Sequence, residues 1–188
     1  MTDPYFFGYG SLVNRDTHEY DGCHPATLSG WKRVWRHTTL RPVAYLTAAP
    51  CDVTQIQGLI AAVPGGKWDA LDARENEYDR NSVAHRVSHR LTHAPDVHVY
   101  DIPHGKHGAP DEDHPILLSY LDVVVQGYLR EFGEDGVTRF FETTQGWEAP
   151  VLNDRESPIY PRHRALSSHE SDLTDHWLAR LPAVVKQL

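Results

Sequence analysis

Apolar positions in the N-terminal half fall into short runs, "YFFGYG", "GWKRVWRHTT", "VAYLTAA" and "IQGLIAAV", rich in aromatic and β-branched residues and bounded by Gly, Pro, Asn and Asp. Runs of this kind predict strands. The stretch "SVAHRVSHRLTH" alternates strictly. Its pattern predicts a further strand, with Val83, Val87 and Leu91 on one side, beside His85, His89 and His93, and Arg86, Ser88 and Arg90 on the other. After the Gly-, His- and acid-rich stretch "PHGKHGAPDEDHP", which reads as a long surface loop, the period lengthens. "PILLSYLDVVVQGYLREFG" predicts a helix with Pro at its start and Gly after its end, and "EDGVTRFFETT" a shorter one. Ser167 and Glu170 have capping-box spacing ahead of Leu173, Trp177 and Leu181.

One helical pattern lies inside the strand-rich half. "GGKWDALDARENEYDR" puts Trp68, Leu71, Glu75 and Tyr78 on one helical face. On that wheel Glu75 falls about 20° from Trp68, inside the apolar arc, whereas Glu77 points the opposite way. An inward carboxylate without partners is costly, so it is either paired with a base or kept for chemistry. Both readings stand at this point: a salt bridge to Arg74 or Arg80, or a functional acid. The mixture of strands and helices predicts an α+β fold, a curved sheet or small barrel with helices packed on it.

Composition narrows the function. A length of 188 residues with 40% hydrophobic content suits one domain over 1–188, with a helical C-terminal part from about residue 116. Eighteen basic against 26 acidic residues give a formal charge of −8, which argues against a nucleic-acid partner. "MTDPYFF" carries an acid where a secretory signal carries positive charge. The longest apolar run is broken by Ser119, Asp122 and Gln126, so no membrane span is expected. Cys23 and Cys51 have neither a disulfide framework nor metal-ligand spacing, and a soluble, cytoplasmic protein is expected. The loop residues His104, His107, Asp111, Glu112, Asp113 and His114 are of ligand type but lack a fixed spacing on a rigid element, so they read as a solvated loop and no metal is expected.

"FGYGSLVN", then a strand ending in "GLIAAV", then "LDARENEYDR", resembles the γ-glutamylcyclotransferase superfamily, with its AIG2-like and ChaC-like branches. The resemblance implies a small mixed β-barrel with flanking helices and release of 5-oxoproline from a small-molecule γ-glutamyl substrate. No metal, nucleotide or covalent nucleophile is implied. It assigns substrate binding to Tyr9, Gly10, Ser11 and Leu12, and catalysis to Glu75, which the helical wheel selects independently. The DHRG-like element of the glutathione-degrading branch has no counterpart in "WRHTTLRPVAYLT". In "DRESPIYPRH", Arg155, Tyr160 and Arg162 are either substrate-carboxylate ligands or members of structural ion pairs. The rival to an enzyme is a non-catalytic small-molecule binding module on the same fold. Glu75 discriminates between them, because a binder of an anionic group gains little from an inward carboxylate.

Overall fold

The computed structural model describes residues 2–39, 41–103, 105–109 and 111–188. Its strands in chain order are β1 (Tyr5–Gly8), β2 (His24–His37), β3 (Ala44–Ala62), β4 (Asp79–Ser82), β5 (Val87–His89), β6 (Val97–Asp101), β7 (Ile116–Leu117), β8 (Thr144–Gln145), β9 (Val151–Asn153) and β10 (Val185–Gln187). The helices are α1 (Asp69–Arg74), α2 (Leu118–Glu142) and α3 (Ser168–Leu178). Among the described residues no helix is long and apolar enough to cross a membrane.

The main sheet runs β4-β6-β1-β3-β2-β5, with β8 also on β2, and curls into half a barrel. It is mixed: β1 is antiparallel to β3 and parallel to β6. All four residues of β1 are buried, as befits a central strand covered on both faces. β2 and β3 form a long ribbon whose register shifts between Ser29 and Trp31, where Gly30 takes φ +77°. Such a bulge bends the ribbon and raises its twist, which lets two strands of 14 and 19 residues curl. A small parallel sheet, β10-β9-β7, lies beyond.

Helix α2 supplies much of the core: Leu121, Val124, Val125, Tyr128 and Phe140 cluster with Phe6, Phe7, Leu28, Trp35 and Ile60 of the sheet. Gly133, at φ +68°, interrupts it, so the expected long helix and shorter helix are two halves of one broken element. Its Gly127 is there for close approach, since a Cβ would lie 2.7 Å from the Asn14 backbone nitrogen. Asn14 answers with side-chain hydrogen bonds to Val123 O and Gln126 Oε1. The turn after β1 is thereby fixed against the helix. The capping box at Ser167 and Glu170 opens α3 as expected.

Three expected elements differ. "VAYLTAA" and "IQGLIAAV" are one strand, β3. The alternating stretch is broken by a single 3-10 turn at Ala84–Arg86, because β4 pairs with β6 at one edge of the sheet and β5 with β2 at the other. The helix expected through Tyr78 stops at Arg74, and Glu75 caps its C-terminus. The chain turns there to reach β4, and pairing with β6 outweighs local helix propensity.

Behind the first turn lies Arg33, 1% exposed. Its guanidinium donates to Gln57 O at 2.7 Å, Thr143 Oγ1 at 2.8 Å, Tyr128 Oη at 2.7 Å and Tyr9 O at 3.3 Å. It also faces the Tyr128 and Phe140 rings. The Tyr128 hydroxyl in turn shares its one proton between the carbonyls of Tyr9 and Gln57. Tyr128→Phe is therefore expected to cost about 1–3 kcal/mol, by stranding buried groups rather than by opening a cavity. Urea unfolding checks this, with a lower midpoint and an unchanged m-value.

Candidate active site

The site begins where β1 ends. After Gly8 the chain folds back so closely that a Cβ there would meet Leu12 Cβ at 2.6 Å. At Gly10 a Cβ would lie 2.6 Å from the Tyr120 hydroxyl. That hydroxyl faces the Ser11 backbone amide. One turn of 3-10 helix follows, Ser11–Val13, closed by Val13 N–H to Gly10 O at 3.0 Å. The first N–H groups of such a turn have no partner within it. The Tyr9 side chain is structural: its hydroxyl donates to Tyr100 O at 2.6 Å and accepts from Ala48 N–H at 3.1 Å.

Glu75 arrives from the other direction, at the end of α1. Leu71, fully buried on the same short helix, seats it. The carboxylate is 17% exposed and pairs with Arg74 Nε at 3.1 Å. Arg74 also donates to Thr17 O at 2.8 Å and to Ser11 Oγ at 3.2 Å. One guanidinium thus ties the acid to the turn. The two sequence readings of Glu75, paired acid and functional acid, describe the same side chain.

Glu75, Gly8 to Leu12, Leu46, Tyr78, Tyr100 and Tyr120 line one cavity of about 340 Å³, part of it open to solvent. Tyr9, Gly10, Ser11, Leu12 and Glu75, which the sequence singled out, are therefore brought together. Burial raises the Glu75 carboxyl from its ordinary 4.5, with Arg74 and then Arg162 acting against the rise. Burial, with the nearby Glu75 charge adding to it, holds Tyr9, Tyr78 and Tyr120 well above the usual phenol range. At neutral pH the phenols stay neutral.

Several residues were missed. Tyr120 lies in the first turn of α2, where its hydroxyl among aliphatic neighbours was the available signal. Glu77, placed outward by the wheel, has a side chain only 7% exposed and pairs with Arg41 at 3.2 Å. Its wheel position assumed a helix that ends three residues earlier than required. Of the "DRESPIYPRH" residues, Arg155 is structural, bound to Asp122 by two 2.8 Å hydrogen bonds and to Asp175. Tyr160 and Arg162 instead wall a second, apolar cavity that shares Leu46, Tyr78 and Tyr120 with the first.

In the histidine loop, Asp111 and His114 meet His37 at the end of β2, and one ligand-type atom of each lies within 4.8 Å of the others. His114 Nδ1 lies 2.6 Å from Asp111 Oδ1, and the His37 and His114 rings stack. The trio latches the loop to β2, beside the backbone bridge from His37 to Gly108. His104, also named among the ligand types, lies outside the described residues.

A family model described as "Gamma-glutamyl cyclotransferase, AIG2-like" matches residues 6–132, a span that holds the turn after β1 and Glu75. No curated protein matches the chain. A solved structure described as "Gamma-glutamyl cyclotransferase" is 13% identical with a TM-score of 0.57, over 93% of this chain and 99% of that one. YkqA from Bacillus subtilis is 16% identical with a TM-score of 0.58, over 78% of this chain and 57% of that one. The uncharacterized protein loc79017 from Homo sapiens is 12% identical with a TM-score of 0.57, over 93% and 99%. These likenesses carry the fold.

Proposed function

The chain belongs to the AIG2-like γ-glutamyl cyclotransferase family, and from that premise we propose that it releases 5-oxoproline from a γ-glutamyl compound, with Glu75 as the general acid and base. The observation that carries this reading is a carboxylate raised by burial, in one cavity with a turn whose backbone a ligand can approach.

The α-amino nitrogen of the substrate attacks its own γ-carbonyl carbon. The new C–N bond closes the five-membered ring, and the old bond to the amine breaks. Holding the glutamyl chain folded supplies much of the acceleration, since well-oriented intramolecular reactions reach effective molarities of about 10⁵ M or more. The amine arrives largely as ammonium and must lose a proton before it can attack. Glu75 accepts that proton and returns one to the departing nitrogen. Arg74, bound to both Glu75 and Ser11, is a positioning residue that keeps the acid beside the turn. The backbone of Gly10 to Leu12 holds the γ-glutamyl group, and the Tyr120 hydroxyl, which sits against Gly10 and engages the Ser11 amide, faces the oxyanion with the neighbouring amides. Tyr9, whose hydroxyl and carbonyl are both hydrogen-bonded within the fold, holds the turn in place. Because every step uses groups of the chain or the substrate, a chelator should leave turnover unchanged. Cys23 and Cys51 are both free thiols, which suits a reducing compartment such as the cytoplasm.

The test is chromatographic detection of 5-oxoproline from γ-glutamyl amino acids, γ-glutamyl amines and glutathione, with and without EDTA. The base must be ionised to act, so kcat should climb with pH through an acid limb lying above the ordinary carboxylate value of 4.5. Folded protein that is silent across the panel would favour a binding module instead, and activity lost to EDTA would contradict the metal-free mechanism.

A further inference from the structure

The second cavity shares Leu46, Tyr78 and Tyr120 with the lining of the site and spans about 890 Å³, part of it open to solvent. A γ-glutamyl group held at the turn with its γ-carbon beside Glu75 has to send its leaving group somewhere. The neighbouring cavity lies across that shared wall. Its surface is aromatic and aliphatic: Val43, Tyr45, Tyr78, Tyr120, Ile159 and Tyr160. Tyr120 and Tyr160 meet edge to face at 5.0 Å, and Tyr45 and Tyr78 at 6.3 Å. Ile159 is 48% exposed at this wall, an apolar surface without a cover in the free protein.

Two cations border the slot, and they differ. Arg41 is paired with Glu77. Arg162 forms no hydrogen bond or ion pair among the described residues, yet its charge reaches Glu75. A half-buried guanidinium at the edge of an apolar slot is equipped to receive an anion. The slot therefore matches an amine that is bulky and apolar in its body and anionic at one end.

We propose that this cavity is the leaving-group subsite, that its occupant is an α-amino acid with an aromatic or large branched side chain, and that Arg162 binds the carboxylate of that amino acid. The inference rests on the cyclotransferase reading and names its substrate class. A leaving alanine or the polar dipeptide of glutathione leaves the rings and Ile159 wet. A leaving lysine joined through its side chain carries an α-ammonium beside its α-carboxylate and offers no bulky apolar group to the rings.

The experiment compares kcat/KM for γ-Glu-Phe, γ-Glu-Leu, γ-Glu-Ala, the amide of γ-Glu-Phe, glutathione and ε-(γ-Glu)-Lys, and in parallel their binding by calorimetry to Glu75→Gln, whose slowed turnover lets binding be read first. γ-Glu-Phe is expected to exceed γ-Glu-Ala by about 10- to 100-fold in both measurements, the contribution of burying a phenyl ring in place of a methyl. The acid should exceed its amide by about tenfold, and Arg162→Gln should bring that ratio to about one. Because any effect of Arg162 on Glu75 itself is common to both compounds, it cancels in the ratio. Equal rates for Phe and Ala, or an acid-to-amide ratio that survives Arg162→Gln, overturns the subsite while leaving the cyclotransferase reading intact. Should no compound be turned over, that reading fails and the leaving-group role with it; a Phe-over-Ala preference in the Glu75→Gln binding series would then leave the cavity as a binding site for the amino-acid part, and a flat series or no binding overturns that too.

Discussion

Glu75→Gln is expected to lower kcat for 5-oxoproline release by about 10²- to 10⁴-fold, the range typical of a lost general acid–base, without destabilising the fold at neutral pH. Glutamine keeps the volume and an oxygen that can still accept from Arg74, but it cannot take a proton from the substrate amine. The stability half follows from the raised carboxyl. When folding raises the pKa of an acid, folding favours its protonated form. That contribution is fully present below the unfolded value and is lost as pH rises through the folded one. Wild type and Glu75→Gln should therefore unfold at similar temperatures in acid, with the variant becoming the more stable of the two as pH rises past the folded value. Catalytic acids held in apolar surroundings commonly show such an exchange of stability for activity. Thermal unfolding of both proteins from pH 4 to 8, beside kcat at pH 8, reads both halves. A kcat within tenfold of wild type would remove Glu75 from the base role. A variant that is less stable at pH 8 would mean that the attraction of Arg74 outweighs burial.

The candidate cavity was legible because its two halves are each local. Gly8 to Leu12 is a contiguous turn, and Glu75 follows Leu71 by four positions, so one helical turn suffices to point it inward although the helix then ends. Tyr78 and Glu77 lie past that end, and their placement depends on where β4 finds its partner. Partner choice is non-local. The same cause split the alternating stretch between opposite edges of the sheet, and it carried β3 unbroken through Pro50 and Asp52, which read locally as turn residues. Pro50 stands opposite Trp31, just past the Gly30 bulge, so the irregularity is shared by both strands. The leaving-group cavity was beyond reach for a stronger reason. Arg41 to Leu46, Tyr78, Leu117, Tyr120 and Ile159 to Arg162 come from separate segments, and no sequence spacing gathers them. Arg155 and Arg162 illustrate the limit: the same short segment holds both, and only the presence of Asp122 and Asp175 beside Arg155 separates a structural arginine from a free one.

Asp154→Ala is expected to be the most destabilising of the changes considered, by about 3–5 kcal/mol, a large fraction of a typical domain's stability. Asp154 is fully buried, and its two oxygens accept from Ser119 N–H at 2.8 Å, Ser119 Oγ at 2.6 Å and Ile159 N–H at 2.8 Å. Leu117, at the N-cap of α2, has no side-chain oxygen to offer, so the cap comes from Asp154 across 35 residues of sequence. Alanine strands the two buried Ser119 donors, each worth about 1–3 kcal/mol, and releases the part-buried Ile159 N–H as well. Asparagine is not a remedy, because its amide nitrogen would face a donor where the second oxygen stood. The same contacts hold the outer wall of the leaving-group cavity: Ile159 is bonded directly, and Tyr160 N–H reaches Ser119 Oγ at 3.3 Å. Loss of Asp154 should therefore lower the preference for γ-Glu-Phe over γ-Glu-Ala more than it lowers kcat for γ-Glu-Ala, measured at a temperature where the variant remains folded. Neither Glu75 nor the turn at Gly10 makes any of these bonds, and only Tyr120, next to Ser119, links the turn to them. If both substrates fell in equal proportion, the wall carrying Tyr160 and Arg162 would owe its position to something other than the Asp154 cap.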